Sequence, residues 1–308
     1  MQLIQSIRSN STINSVTRLI LNTSIKYLSN ISKRWHVAGN IPLTINGIKF
    51  SMYSNCDDHK LNALYYNYAY IEKNDLLVFS SLLRDDDVVL DLGANTGIYT
   101  VLSSLSAKNV TVHSFEPHPQ NLERLKRNIS LNDLKKVTIV EKCVGNEQGK
   151  VKFSIPETNG ISDTSSVSED FSKGSYDDKI QWKKIEVEQT SLDSYIDRNN
   201  VHKINAIKID VEGQELNVLK GARLLIAKFK PMILIECFIN AENRQALKDF
   251  VVDNNYFVYV IVSEGLVLID RNFTTYQGLN YLFLHDKMNS SFTTMKQLRE
   301  LNQSNFPN

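Results

Sequence analysis

The sequence predicts an α/β protein, a twisted and mostly parallel sheet with helices on both faces. Three observations predict it. Short β-branched runs alternate with amphipathic segments from residue 88 to residue 254. Those runs are apolar almost throughout, as strands covered on both faces are. The loop DLGANTG (91–97) closes the first run and opens a helix, at the carboxyl end of a strand where such sheets bind ligands.

In order, IPLTINGIKFSMY (41–53) alternates around Asn46-Gly47, a hairpin signal. After a polar gap, IEKNDLLVFSSLL (71–83) places Ile71, Leu76, Phe79 and Leu83 at helical intervals. VVLDLG (88–93) is the first strand of the main pattern, with a helix near 97–107. VTVHSFE (110–116) and NLERLKRNISLN (121–132) repeat the unit, and VTIVEKCV (137–144) is the third strand. VKFSIP (151–156) and QWKKIEVEQTS (181–191) are an inserted strand pair around a polar, Gly/Ser-rich stretch, which reads as a lid or binding loop. AIKIDV (206–211), a helix over 215–229, MILIEC (232–237) and a helix over 241–254 resume the alternation. YFVYVIV (256–262), GLVLID (265–270) and YLFLHD (281–286) follow with no helix between them, so the sheet ends antiparallel. The expected organisation is a helical extension (1–40), one domain (41–287) that includes the hairpin 41–53 and the insertion 151–191, and a polar tail (288–308).

The chain of 308 residues can bury a full core. Its 35 Lys and Arg against 34 Asp and Glu give a net charge of +1, which argues against a nucleic-acid partner. Cys56, Cys143 and Cys237 are odd in number and far apart, which fits a reducing compartment and neither a disulfide framework nor a Cys-based metal site. The cytoplasm is therefore the expected location. No apolar run reaches the roughly 18–20 residues of a membrane helix. No Asp or Glu precedes Asp57, whereas Arg8, Arg18, Lys26, Lys33 and Arg34 do. Residues 1–36 are read as a helix packed on the domain; peripheral membrane contact and an organellar transit segment stay open as alternatives.

The loop itself discriminates between ligands. In the dinucleotide fingerprint G-x-G-x-x-G the second glycine admits a pyrophosphate. Asn95 stands there instead, leaving a tight turn at Gly93 and a close approach at Gly97. That suits a nucleoside whose 5′ substituent is an amino acid, S-adenosylmethionine. Glu116 ends the second strand, where a carboxylate can accept hydrogen bonds from both ribose hydroxyls. Cys143 and Val144 would flank the adenine, and Asp91 would sit beside the amino-acid end or orient the loop through backbone N–H groups.

VVLDLGANTGIYT (88–100), FEPHPQNLERLKRN (115–128), TSLDSYI (190–196) and IKIDVEGQELNVLKGA (207–222) together resemble the FkbM family of S-adenosylmethionine-dependent methyltransferases. The resemblance spans about residues 40–287. It implies a class I, Rossmann-like fold with seven strands in the order 3-2-1-4-5-7-6 and an antiparallel closing strand. It also implies methyl transfer, usually to a hydroxyl oxygen of a glycan sugar or a small natural product.

A sugar hydroxyl is a poor nucleophile, so a base or a metal ion should assist it. In IKIDVEG the side chains of Lys208, Asp210 and Glu212 share one face. Lys208 reads as a neutralising partner and Asp210 as base, substrate anchor or metal ligand. Glu212 either shares that role or caps the next helix. Glu236, ending MILIE, is the second carboxylate at the crevice. Two carboxylates could hold a divalent ion such as Mg²⁺, and the sequence leaves that open. His113 shares a face with Phe115 and reads as core, whereas His118 is expected exposed near the adenosine edge. Tyr176 and Trp182 are candidates to stack on an acceptor sugar. Two other functions stay in play: a non-catalytic S-adenosylmethionine-binding partner subunit, and an NAD-dependent oxidoreductase. Nothing in the patterning sets an oligomeric state.

Overall fold

The computed structural model describes residues 36–66, 73–157, 181–237, 241–262, 265–273 and 280–285, with the isolated positions 8, 10, 14, 15, 167 and 239. The expected N-terminal helix, Tyr176 and the polar tail lie outside the described residues.

The main sheet has eight strands among these residues. Its centre is β3 (Val88–Leu92), flanked on one side by β4 (Thr111–Phe115) and then β5 (Val137–Val140). On the other side run β9 (Ala206–Ile209), β10 (Met232–Glu236), β13 (Asn280–His285), β11 (Tyr256–Val262) and β12 (Gly265–Ile269). The first seven follow the order the resemblance implied. The eighth, β12, exceeds the expected count because GLVLI folds back on β11, Val262 pairing with Gly265. Strands β5, β4, β3, β9 and β10 pair in parallel in that order, and β13 runs antiparallel to both β10 and β11.

Both faces of this sheet are covered, which explains its apolar strands: all four residues of β9 are buried. One core gathers Phe79, Val101 and Leu234, the other Ile207, Leu219 and Phe283. The helices that cover the faces are α1 (His59–Tyr66), α2 (Lys73–Leu82), α3 (Ile98–Ser106), α4 (Pro119–Leu131), α5 (Leu192–Arg198), α6 (Glu215–Gly221), α7 (Arg223–Phe229) and α8 (Ala241–Asp253).

Three local differences from the sequence reading have physical causes. The polar gap after the hairpin contains α1, whose residues Leu61 to Tyr66 are all buried and whose start is capped by Asp58, the Leu61 N–H donating to Oδ1 at 2.7 Å. The single helix expected over 215–229 breaks at Ala222, beside Gly221, where an added Cβ would overlap the backbone carbonyl of Gly145. The third strand stops at Val140. Cys143–Val144 form β6 in a separate sheet, parallel to β8 (Trp182–Thr190), which also carries β7 (Gly149–Pro156).

The hairpin pairs β1 (Ala38–Ile45) with β2 (Ile48–Asn55), Ile45 facing Ile48 across Asn46 and Gly47. Both turn residues have positive φ, 51° and 73°, as a tight two-residue turn requires. The hairpin lies on α4: the guanidinium of Arg124 donates to both carboxylate oxygens of Asp57, at 3.1 and 2.9 Å, and sits over the Tyr53 ring.

Candidate active site

Three strand ends converge. After Leu92 the chain turns through Gly93 at φ 70°, and the N–H groups of Gly93 and Ala94 both donate to the Phe115 carbonyl, at 3.0 and 2.9 Å. A Cβ on Gly93 would overlap the carbonyl oxygen of Asp210, so the absent side chain lets the loop rest on the end of β9. Asn95 is left-handed at φ 52°, and its N–H donates to Glu116 Oε2 at 2.7 Å. Gly97, at φ 92°, precedes α3, and a Cβ there would run into Leu125.

Glu116 is buried, and its Oε1 accepts the His118 N–H at 2.8 Å. Burial pushes its carboxyl up to about 7, against the pull of the two backbone N–H groups. His118 is buried rather than exposed: its Nδ1 accepts from the N–H groups of Gln120 and Asn121, capping α4 just before Pro119. His113 bonds the Tyr195 hydroxyl at 2.9 Å, and Tyr195 also packs edge-on against Phe115, so His113 and Phe115 do share a face.

Asp91 lies beneath the loop. Its Oδ2 accepts from the Thr100 hydroxyl at 2.6 Å, and its Oδ1 stands 3.9 Å from Lys208 Nζ. Burial pushes this carboxyl up, with Lys208 and Thr100 pulling it back. Lys208 Nζ donates to the Gly93 carbonyl at 2.9 Å and pairs with Asp210 Oδ2 at 3.2 Å. One buried ammonium thus ties the loop to two carboxylates, the neutralising part read for it from sequence.

Above the loop opens a cavity at the carboxyl ends of the strands. Gly93, Asn95, Glu116, Cys143 and Val144 line it together with Asp210, Val211 and Glu212. Asp91, Gly97 and Glu236 do not reach it. Glu236 instead lines a smaller neighbouring space with Asp210, Lys208 and Tyr99.

The two crevice carboxylates are pushed apart. Burial raises Asp210, but Lys208 and Lys60 outweigh it and hold the group below the usual carboxylate range. Glu212, left-handed at φ 54°, is pushed up to about 9 by burial and by the charges of Asp210 and Glu236. The two environments thus oppose each other, favouring the charged form at Asp210 and the protonated form at Glu212. Glu212 does not cap α6: the N-cap is Gln214, and the Gly213 N–H goes to Glu215 Oε1 at 2.9 Å. Among the described residues no group of three His, Cys, Asp or Glu side chains is arranged to hold a metal ion.

Sequence reasoning missed Lys60, Lys142 and Phe153 in the cavity wall. Lys60 could have been found from Asp58, an N-cap residue just ahead of the apolar run in DHKLNALYY. Lys142 follows from recognising that the third strand ends at Val140.

The model of the methyltransferase FkbM domain family matches residues 91–262. The hexuronic acid methyltransferase AglP of Haloferax volcanii is 31% identical over 140 residues, covering 45% of this chain and 51% of that protein. The 2-O-methyltransferase NoeI of Sinorhizobium fredii is 24% identical over 156 residues, covering 49% and 63%. The chain thus spans half to two-thirds of the length of these curated relatives. Among solved structures, methyltransferase FkbM from Methylobacillus flagellatus KT aligns with a TM-score of 0.44 at 20% identity, covering 74% of this chain and 55% of that one.

Proposed function

The chain belongs to the FkbM methyltransferase family, and from that premise we propose that it transfers a methyl group from S-adenosylmethionine to a hydroxyl oxygen of a sugar or small natural product. The observation that carries this reading is the seat of Gly93. With no Cβ, the loop packs on the end of β9, so that Glu116 and the Asp210–Glu212 pair face one cavity from either side of it.

The residues fit the cofactor. Glu116 spends one lone pair of each oxygen on a backbone N–H, leaving acceptor capacity for the two ribose hydroxyls. Cys143 and Val144 offer an apolar wall to the adenine, with Phe115 beside them. Gly93, Asn95 and Gly97 shape the loop, and Asp91 serves it from below through Thr100 and Lys208. Bound there, S-adenosylmethionine would supply a methyl group already activated by its sulfonium.

Asp210 is the proposed base. A carboxylate of depressed pKa suffices, because a hydroxyl proton becomes strongly acidic as the new C–O bond forms. Glu212, holding its proton, is placed to donate a hydrogen bond to the acceptor and anchor it. Glu236 faces Asp210 from the adjoining space and is the second anionic wall. AglP is named for a hexuronic acid and NoeI for 2-O transfer, which supports an oxygen acceptor on a sugar.

The test is transfer of labelled methyl from S-adenosylmethionine to a panel of uronic acids, neutral glycosides and polyketide alcohols. Asp210→Asn should lower turnover by about 10²–10⁴-fold with cofactor affinity within a few-fold of wild type. Full turnover in Asp210→Asn would remove it as the base.

A further inference from the structure

The edge of β2 that faces α4 pairs with no strand among the described residues. Its backbone is met instead by two asparagines four residues apart, Asn128 on α4 and Asn132 at its C-cap. Asn132 makes a closed pair with Ser51, accepting its N–H at 2.9 Å and donating to its carbonyl at 2.7 Å. Asn128 divides its amide between two segments. Its Oδ1 accepts the Tyr53 N–H at 2.7 Å, and its Nδ2 donates to the Thr96 carbonyl at 2.7 Å, inside the DLGANTG loop. Asn128 is fully buried, so water cannot substitute for either partner.

The Thr96 carbonyl belongs to the peptide that enters Gly97, whose left-handed φ fixes where the loop hands over to α3. One residue earlier, the Asn95 N–H holds Glu116. An amide that fixes the Thr96 peptide therefore also fixes the aim of Asn95. From the other side, the Thr96 hydroxyl reaches Asp58 Oδ2 at 3.4 Å, and Asp58 caps the helix that carries Lys60 to the cavity. Hairpin and loop thus share the Asn128 amide, and loop and α1 share the Thr96–Asp58 bond.

We propose that Asn128 is a positioning residue that makes the seating of the N-terminal hairpin and the setting of the cofactor loop a single equilibrium. The inference rests on the S-adenosylmethionine reading above. Linkage makes the coupling reciprocal: a ligand that orders the loop fixes the Asn128 rotamer and so protects the hairpin edge, and a seated hairpin strengthens ligand binding. The segment 37–66 is then a working wall of the site rather than an ornament on the fold.

The experiment uses the full chain and S-adenosylmethionine as probe, with amide hydrogen exchange read at Ser51 and Tyr53 and affinity read by calorimetry. In the wild type, the ligand slows exchange at Tyr53. Asn128→Ala weakens binding by about tenfold, the cost of a lost buried hydrogen bond, and abolishes that protection. Asn132→Ala, whose side chain bonds Ser51 and the Asn128 carbonyl but not the loop, speeds exchange at Ser51 yet leaves affinity within about twofold. Equal weakening by the two variants, or wild-type affinity in a folded Asn128→Ala, overturns the proposal. Should Asn128→Ala not fold, unchanged Tyr53 exchange in the liganded wild type overturns it alone. A wild-type chain that binds no S-adenosylmethionine sinks the cofactor reading itself, a distinct result.

Discussion

Burial makes Glu116, the carboxylate proposed to bind the ribose, sensitive to pH. Its ordinary value of 4.5 is raised to about 7, so below that pH the folded chain holds a proton where hydroxyls need an acceptor. Affinity for S-adenosylmethionine should therefore be level above about pH 7 and fall below it, by at most roughly tenfold per unit. Glu116→Gln should bind weakly throughout and lose most of that slope, which calorimetry at pH 6, 7 and 8 would check. A wild-type affinity that is flat from pH 8 to pH 6 would contradict it. The position of Glu116 at the cavity is legible in sequence because a strand-end acid after a glycine loop is a local pattern. His118 was misread because the pattern His-Pro-Gln-Asn announces a capped helix start only once the helix is known to begin at Pro119.

At the scale of elements, polar groups tie the hairpin to α4. Burial pushes the Asp57 carboxyl up, but the Arg124 guanidinium outweighs it and the group lies below its ordinary 3.8. A depressed carboxylate stabilises the fold above its unfolded pKa and loses that contribution as pH falls through its folded one. Arg124→Met should thus cost about 1–3 kcal/mol at pH 7 in urea unfolding, and the difference from wild type should shrink at pH 3. An equal deficit at both pH values would assign the loss to the packing over Tyr53. The elements hardest to read were those with uniform rather than periodic burial. Helix α1 buries six consecutive residues and so has little amphipathic signature. Residues Val137 to Val144 look like one strand because two charged residues, Glu141 and Lys142, do not by themselves announce a change of sheet, and Cys143 and Val144 reach the cavity from the second sheet.

Across the whole molecule, the sheet brings the ends of β3, β4 and β9 to one crevice, because parallel neighbours joined by helices place all their carboxyl ends on the same side. Alternating strands and helices made that architecture legible. The strand order followed from family resemblance, since patterning does not say which strands are neighbours. Gly93, Glu116 and Asp210, 117 residues apart from first to last, are brought together by that order alone. Their shared cavity is proposed to take S-adenosylmethionine, and the decisive measurement is calorimetric titration at pH 8. Binding is expected at one site per chain, largely lost in Glu116→Ala, with no heat from NADH. Binding of NADH, or no binding of S-adenosylmethionine by the folded wild-type chain, would contradict it.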